Sequence, residues 1–237
     1  MNHLIHIAEC GSTNDEILSF LSPGFPDILG LYTFNQTNGR GQYGNIWKNT
    51  ENENLAFSIA VKSSFFSSGV FINFRTAGLL RNFVANLTDE DTKIKWPNDI
   101  ILNQKKISGI LIEKKKVSGE EYFIIGIGLN INQIDFKGLP KAGSLHTQTN
   151  RSYNIEDVAK ELFALFEKEI FRELPIQEAL EEYNQHLFRK DVISVFEKNG
   201  TRQNGIIQNV DEDGFLWIEM ENEGLQRFFH KEVEMLY

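Results

Sequence analysis

The chain combines segments in which apolar residues recur at helical spacing with short apolar runs that are typical of strands. At 70–87 the apolar positions recur every three or four residues, which predicts a helix with one buried face. Helices are also predicted at 155–174 and at 175–187, the second with Pro175 at its first position. This mixture predicts an α+β fold.

Runs rich in Ile, Leu and Val lie between clusters of turn residues and predict the strands. They lie at 3–9, 29–33, 55–61, 93–96, 100–102, 107–113 and 122–128, with tight turns at 103–104 and 118–119. A short helix is expected after the first strand, with Thr13 and Glu16 as a capping box. Pro23-Gly24 is expected to end that helix.

From position 188 onward, short strand-like runs are separated by Asn-Gly, Asp-Gly and Glu-Gly turn signals. Such spacing predicts a small all-β barrel. We therefore expect two domains, a larger one at 1–187 and a small β domain at 188–237.

Charge and cysteine content narrow the class of protein. The net charge of −9 argues against general binding to nucleic acid or to anionic membranes, which relies on basic surfaces. No apolar run approaches the length needed to span a bilayer, and the N-terminus lacks the pattern of a signal peptide. Cys10 is the single cysteine, which excludes an intrachain disulfide. A cytoplasmic location is the prediction.

The first candidate for chemistry is the loop TNGRGQYGNIW at 37–47. Its glycines allow close approach of the backbone to a ligand, and Arg40 suits a carboxylate or phosphate. Trp47 could stack on a base or seal a pocket. The loop is not a Walker loop, and no helix follows that would support a dinucleotide-binding fingerprint. A flexible surface loop is the alternative.

Three further segments carry weaker signals. In KIKWPND at 93–99, a lysine beside an Asn-Asp turn could neutralise a phosphate, with a solvated lysine as the alternative. Two glycines within the strand GIGLNIN at 126–132 indicate close approach of a ligand, or else a bulge. The segment STN at 12–14 forms either a helix cap or a polar site at a helix start.

Together and in this order, these segments resemble those of the biotin–protein ligases, also called biotin–[acetyl-CoA-carboxylase] ligases. The motifs are GSTND at 11–15, NQTNGRGQYGNIW at 35–47, KWPNDI at 95–100, KISGILIE at 106–113 and GIGLNIN at 126–132. The resemblance implies a catalytic domain related to class II aminoacyl-tRNA synthetases, with a mixed sheet and helices largely on one side. The C-terminal β segment fits the family's small SH3-like domain more loosely.

The reaction that the resemblance implies has two steps and requires ATP, Mg²⁺ and biotin. Biotin's carboxylate attacks the α-phosphate of ATP, giving biotinyl-5′-AMP and pyrophosphate. A lysine of a biotin carboxyl carrier domain then attacks the mixed anhydride, giving an amide and AMP. No tightly bound metal is expected.

The resemblance also implies roles for the matching residues. Lys95 is implied as a catalytic contact of the biotin carboxylate and α-phosphate, and Arg40 as the residue that orders the loop over the ligand. Biotin contacts are implied for Ser12, Thr13, Asn14, Gln36, Gly39, Arg40, Gly41, Gln42, Lys95, Gly109, Gly126 and Gly128. ATP contacts are implied for Arg40, Trp47, Lys95, Asn98 and Asn130, and Asp99 is implied as a ligand of Mg²⁺.

Two departures from the family pattern bear on this interpretation. Many relatives carry arginines where this chain has Gln42 and Asn45, so retention of the adenylate is expected to be weaker or differently balanced. No C-terminal residue can be assigned to the site.

Because the first catalytic strand is predicted near residue 3, we expect no N-terminal DNA-binding domain. Related enzymes occur as monomers and as dimers, so a homodimer stays open.

Two alternatives remain at this stage. The first is a lipoate or octanoate ligase on a related fold, for which a different glycine-rich motif would be expected. The second is a biotin-binding module without catalysis, against which the presence of both Arg40 and Lys95 argues.

Overall fold

A computed structural model of the chain describes residues 3–22 and 27–237. The end of the first helix, predicted at Pro23-Gly24, lies outside these residues. A seven-stranded sheet forms the centre of the molecule, in the order β1-β2-β3-β7-β6-β5-β4. Its strands are β1 (Leu4–His6), β2 (Ile28–Thr33), β3 (Asn54–Lys62), β4 (Thr92–Lys95), β5 (Asp99–Leu102), β6 (Lys105–Val117) and β7 (Glu120–Asn130).

The sheet is mixed, as expected for an α+β fold. Strands β1 and β2 are parallel, and every other neighbouring pair is antiparallel. The turns at 103–104 and 118–119 occur where predicted, and their central residues all have positive φ, which suits tight hairpins. The first strand is shorter than predicted and spans three residues.

Three long helices, α2 (Gly69–Thr88), α4 (Ile155–Glu169) and α5 (Ile176–Gln185), contribute buried apolar residues to the main core on one face of the sheet. Helix α2 begins at a serine cap, since Ser68 Oγ accepts a hydrogen bond from the Phe71 amide at 3.1 Å. Helix α4 ends five residues before its predicted end, and Pro175 is the N-cap of α5 rather than its first residue. Helix α3 (Leu145–Thr149) was not predicted.

The predicted capping box at Thr13 is wrong. The short helix α1 (Thr13–Glu16) has Ser12 as its N-cap, with no side-chain cap, and continues into a 3₁₀ turn. The Thr13 hydroxyl instead bonds to Gln36 and Ser58. A tertiary partner has replaced the local one that sequence spacing suggested.

The two faces of the sheet differ in side-chain size. On β3, Leu55, Phe57, Ile59 and Val61 belong to the helix-covered core. The alternating positions of the same strand carry small residues: Ala56, Ser58 and Ala60. On β7, Gly126 and Gly128 lie on this second face, whereas Tyr122 and Ile124 of the same face pack with Ile17 in a smaller apolar cluster. The face opposite α2, α4 and α5 is therefore shallow around the two glycines, and it leaves room for a site there.

The C-terminal segment forms a second sheet, antiparallel throughout, in the order β11-β10-β9-β8-β12. Its strands are β8 (Ile193–Lys198), β9 (Thr201–Val210), β10 (Leu216–Met220), β11 (Gly224–Phe228) and β12 (Glu234–Leu236). It is joined to the main body by the Trp96 indole, which donates to the Gly214 carbonyl at 3.0 Å. Across the described residues, no helix has the length and apolar character of a membrane span.

Two helices anchor the turn that follows β4. The Pro97 carbonyl accepts hydrogen bonds from the Tyr183 hydroxyl at 2.9 Å and from the Asn73 amide at 3.0 Å. Tyr183 on α5 and Asn73 on α2 thus fix the position of the WPND segment against the helical layer. Tyr183 is fully buried.

We expect Tyr183→Phe to lower the free energy of unfolding by about 1 kcal/mol, because a buried hydrogen bond is lost. Asn73→Ala should have a similar effect through the same carbonyl. The double variant should lose more than the sum of the single losses, since Pro97 then keeps no donor. Urea unfolding of the four proteins measures this, and additive losses would contradict the shared role.

Candidate functional site

A cavity of about 240 Å³ lies on the shallow face of the main sheet. It is enclosed by the sheet, by the start of α1 and by the glycine loop. Its lining consists of Ser12, Thr13, Asn14, Gln36, Arg40, Gly41, Gln42, Asn45, Ile46, Trp47, Ala56, Lys95, Pro97, Asn98, Asp99, Lys106, Gly109, Ile110, Leu111, Gly126, Ile127, Gly128 and His230. The structure thus brings together most of the residues that the sequence motifs indicated.

Glycines form the floor of the cavity beneath Trp47. Gly109 on β6 and Gly128 on β7 are cross-strand partners. A Cβ at Gly128 would overlap the indole of Trp47, and one at Gly109 would come within 3.3 Å of the same ring. The Trp47 ring therefore lies against bare backbone, which only glycine permits. Its indole nitrogen is buried and has no hydrogen-bond partner in the described part of the chain.

A chain of uncharged polar groups lines the other end. The buried Ser58 hydroxyl donates toward Thr13 Oγ1 at 2.8 Å or Asn14 Oδ1 at 2.7 Å. Thr13 donates its backbone amide to Gln36 Oε1 at 2.9 Å. The Asn14 amide lies against Gly126, where a Cβ would overlap it. This end of the cavity therefore offers several fixed hydrogen-bond donors and acceptors.

Arg40 is held by carboxylates of the protein itself. Its guanidinium makes a two-pronged ion pair with Asp15, with one contact at 2.8 Å, and lies 3.4 Å from Glu113 Oε2. Hydrogen bonding to Arg40 lowers the pKa of Asp15 below its ordinary value, so Asp15 stays ionised at neutral pH. In this structure Arg40 closes the loop against α1 and β6 rather than presenting an unpaired cation.

Lys95 is the cation that the cavity leaves without a counter-ion. Its ammonium forms no ion pair with any carboxylate of residues 3–22 and 27–237, whereas Lys106 contacts Asp99 at 2.7 Å. Burial lowers the pKa of Lys95, and the neighbouring Lys106 and Lys141 lower it further while Asp99 opposes them. A desolvated lysine without a counter-ion favours binding of an anion, because the anion stabilises the charged form of the lysine.

Several candidate residues are placed differently from expectation. Asn130 is buried outside the cavity lining and donates to the Gly143 carbonyl at 2.9 Å. Gly39 lies against the backbone of Trp47 and beside Gln36, also outside the lining. Asn98 lines the cavity, but its amide already donates to the Ile110 carbonyl. Their roles toward a ligand stay predictions.

Sequence reasoning missed four residues that the structure places at the site: Ser58, Lys106, Glu113 and His230. Ser58 had a detectable signal, since it is the polar residue within an apolar strand. Lys106 and Glu113 open and close the KISGILIE motif, whose lysine lies 5.8 Å from the Trp47 ring centroid. His230 had no local signal, because it reaches the cavity from the far end of the chain.

The arrangement offers little for a resident metal. No group of three or more His, Cys, Asp or Glu side chains that could hold an ion occurs within the described ranges. Asp99 is the acidic side chain of the cavity lining, and Lys106 already pairs with it. A single carboxylate suits an ion that arrives with phosphate ligands of its own.

The biotin/lipoate A/B protein ligase family model matches residues 29–132. The chain is similar to this family over these residues. The matched residues include the glycine loop, β3 to β7 and both lysines of the cavity. The matched segment thus contributes most of the cavity lining, while α1 lies before the match and His230 lies after it.

Two relatives indicate how far the similarity extends beyond the matched segment. The bifunctional ligase/repressor BirA of Bacillus subtilis is 26% identical over 245 residues, covering 98% of this chain and 74% of the relative. The biotin–[acetyl-CoA-carboxylase] ligase of Mycobacterium tuberculosis is 30% identical over 146 residues, covering 59% and 53%. The chain therefore matches about half of the mycobacterial relative.

Solved structures extend the likeness to both sheets. Biotin protein ligase from Aquifex aeolicus in complex with biotin and ATP aligns with a TM-score of 0.81 at 22% identity, covering 100% of this chain and 99% of that one. The Leishmania major enzyme in complex with biotinyl-5-AMP gives a TM-score of 0.65 at 21% identity, covering 96% and 98%. At these identities the likeness concerns the fold.

We expect Gly128→Ala to displace the Trp47 ring, because the added methyl group would occupy the space of the indole. The change should appear in the intrinsic fluorescence of Trp47, with Trp47→Phe as the reference for its contribution. Gly11→Ala is the matched control, since a Cβ there would meet nothing within 4 Å. An unchanged spectrum for Gly128→Ala would show that the indole does not lie on this glycine.

Proposed function

We propose that this chain is an ATP-dependent biotin–protein ligase. It activates biotin to biotinyl-5′-AMP and transfers it to a lysine of a biotin carboxyl carrier domain. The observation that carries the proposal is Lys95, a desolvated lysine that lines the cavity and forms no ion pair within the described residues. Two anionic reactants must meet in this reaction, and such a cation favours their approach.

The polar end suits the head of biotin. A ureido group presents one acceptor and two donors, and Thr13, Asn14, Gln36 and Ser58 provide neutral partners of both kinds. Gly126 lets the Asn14 amide lie directly against the sheet, which holds this polar group at the border of the cavity. Ser12, Gly41 and Gln42 border the same space and are proposed to complete the biotin site.

The aromatic end suits adenosine triphosphate. Trp47 offers an aromatic surface for the adenine, and its buried indole nitrogen has no hydrogen-bond partner among the residues that the structure describes. Lys106 lies near that ring and is proposed to act with Lys95 on the phosphates. We also propose the remaining contacts that the resemblance implies. ATP is proposed to contact Asn98 and Asn130, and biotin is proposed to contact Gly109.

In the first step, a carboxylate oxygen of biotin attacks the α-phosphorus of ATP, and the bond to the bridging oxygen of pyrophosphate breaks. Lys95 is proposed to contact both the carboxylate and the α-phosphate, where negative charge accumulates. In the second step, the lysine amine attacks the acyl carbon, the bond to AMP breaks, and the nitrogen loses a proton. Arg40 is proposed to keep the loop closed, which excludes water from the anhydride.

Magnesium enters this scheme as the ion that accompanies ATP, where it would neutralise phosphate charge. Asp99 is the proposed protein ligand, and it would have to exchange its pairing with Lys106 for the ion. The pairing holds Asp99 and Lys106 close to each other at the wall of the cavity.

Several finer features belong to the same proposal. The second sheet is proposed to close into an SH3-like barrel that forms a domain at 188–237, next to a catalytic domain at 1–187. The partner is proposed to be the carrier domain of a biotin-dependent carboxylase, and the location the cytoplasm. A homodimer belongs to the same proposal, since related enzymes occur as monomers and as dimers.

We expect Lys95→Ala to lower the rate of pyrophosphate release with biotin and ATP by at least about 100-fold, since a fixed transition-state charge is lost. Lys93→Ala is the matched control, because Lys93 lies two residues away on the same strand, pairs with Asp91 and lies outside the cavity lining. Near-normal release from Lys95→Ala would remove Lys95 from this role.

The acyl substrate is tested by incubating the protein with ATP and Mg²⁺ and either biotin or lipoate. We expect pyrophosphate and acyl-AMP with biotin, followed by transfer to a carrier domain. Release with lipoate alone would replace the proposal with a lipoate ligase. No release with either acid would indicate a binding module.

The lowered pKa of Lys95 predicts a pH dependence. The required form is the cation, which is present at low pH and is lost as pH rises through the lowered pKa. The pH profile of kcat/KM for biotin reports on groups of the free enzyme. The pKa read from its alkaline limb should therefore be lower than the ordinary lysine value of 10.5. Lys95→Arg should move this limb to higher pH, and an unmoved limb would assign it to another group.

A further inference from the structure

Tyr43, in the middle of the glycine loop, adopts a backbone conformation that tyrosine rarely occupies. Its φ is 56° and its ψ is 37°, which is the left-handed helical region. This region costs free energy for a bulky side chain, and such residues persist where their surroundings hold them. Glycine follows at position 44, also with positive φ. The loop therefore needs an external contact to keep Tyr43 in place.

That contact comes from the C-terminal segment between β11 and β12. The Tyr43 ring stacks on the imidazole of His230, with centroids 4.4 Å apart and planes at 21°. Lys231 donates a hydrogen bond from Nζ to the Tyr43 backbone carbonyl at 3.1 Å, and the same ammonium lies 5.3 Å from the ring centroid. Both the side chain and the strained backbone of Tyr43 are thus engaged.

His230 is itself held within the body of the protein. Its ring lies 5.8 Å from the indole of Trp96, which donates to the Gly214 carbonyl of the second sheet. Burial lowers the pKa of His230, and Lys231 and Lys95 act in the same direction. The imidazole is therefore neutral at neutral pH and can stack on Tyr43 beside Lys231 without charge repulsion.

Tyr43 lies in the middle of the loop segment that lines the cavity, so a contact to Tyr43 acts on that segment. Its neighbours Gly41 and Gln42 line the cavity on one side, and Asn45 and Ile46 do so on the other. The loop's arginine is already committed to Asp15 and Glu113. No other charged side chain occurs within 37–47, so ion pairing anchors the loop at its start alone.

We propose that Tyr43, His230 and Lys231 form an aromatic clasp through which the second sheet holds the glycine loop closed over the cavity. These three are positioning residues. The clasp stabilises the closed loop where Arg40 does not reach, in a chain that carries Gln42 and Asn45 in place of further cations. Its role in retaining biotinyl-5′-AMP rests on the proposed function, whereas the closure itself does not.

Closure of the glycine loop is measured in the absence of substrate. Trypsin is added, and mass spectrometry follows the rate at which the chain is cleaved after Arg40. We expect His230→Ala and Tyr43→Asn to raise this rate about fivefold, the opening expected from loss of an aromatic pair. Asparagine tolerates the left-handed backbone, so Tyr43→Asn tests the ring alone. Lys231→Met should raise cleavage through loss of the bond to the Tyr43 carbonyl.

Two kinds of control variant show whether faster cleavage comes from loss of the clasp or from a general loss of stability. Tyr43→Phe and His230→Phe keep stacked rings and should be cleaved like the wild type. Leu225→Ser, exposed on β11 of the same sheet, is the control for changes elsewhere in that sheet. Equal cleavage of His230→Ala and the wild type would overturn the clasp, as would failure of His230→Phe to restore protection.

The functional consequence is read from the half-life of enzyme-bound biotinyl-5′-AMP in a chase with unlabelled biotin. We expect Tyr43→Asn to shorten this half-life about fivefold while the first-turnover rate of pyrophosphate release changes less than twofold, because Tyr43 lies outside the cavity lining. Tyr43→Phe keeps the stacked ring and should retain the wild-type half-life. If the wild type forms no adenylate, the proposed function fails, and the cleavage rates still decide whether the clasp exists.

Discussion

The site depends on the unequal size of side chains on the two faces of one sheet. Strand β3 presents Phe57 and Ile59 to the helical layer and Ala56 and Ser58 to the opposite face. The bulky face binds the helices through burial of apolar surface. Because the other face carries small residues and glycines, Trp47 and Asn14 can lie directly on backbone. The same alternation therefore stabilises the fold and leaves the cavity open.

Charge within the cavity is distributed so that one cation stays uncommitted. Arg40 pairs with Asp15 and Glu113, and Lys106 pairs with Asp99. Lys95 alone is desolvated without a counter-ion, and this lowers its pKa. An arriving anion meets little competition at Lys95, whereas it would have to displace a carboxylate at Arg40. The arginine is then better suited to holding the loop than to binding substrate in this state.

The second sheet takes part in the site through a few contacts. Trp96 joins the sheets at Gly214, and His230 reaches both the cavity and Tyr43. The segment between β11 and β12 therefore contributes a side chain to the cavity and a stacking partner to the glycine loop.

Local patterns along the chain determined most strands, the three long helices, the hairpin turns and the motifs that meet in the cavity. These features follow from periodicity, turn chemistry and ordered motifs, which act over short distances. The tertiary structure decided what each polar group contacts. Thr13 caps no helix because Gln36 and Ser58 bind it, and Asn130 turns to Gly143. His230 joins the site from the far end of the chain, since contacts between distant segments leave no trace in local spacing.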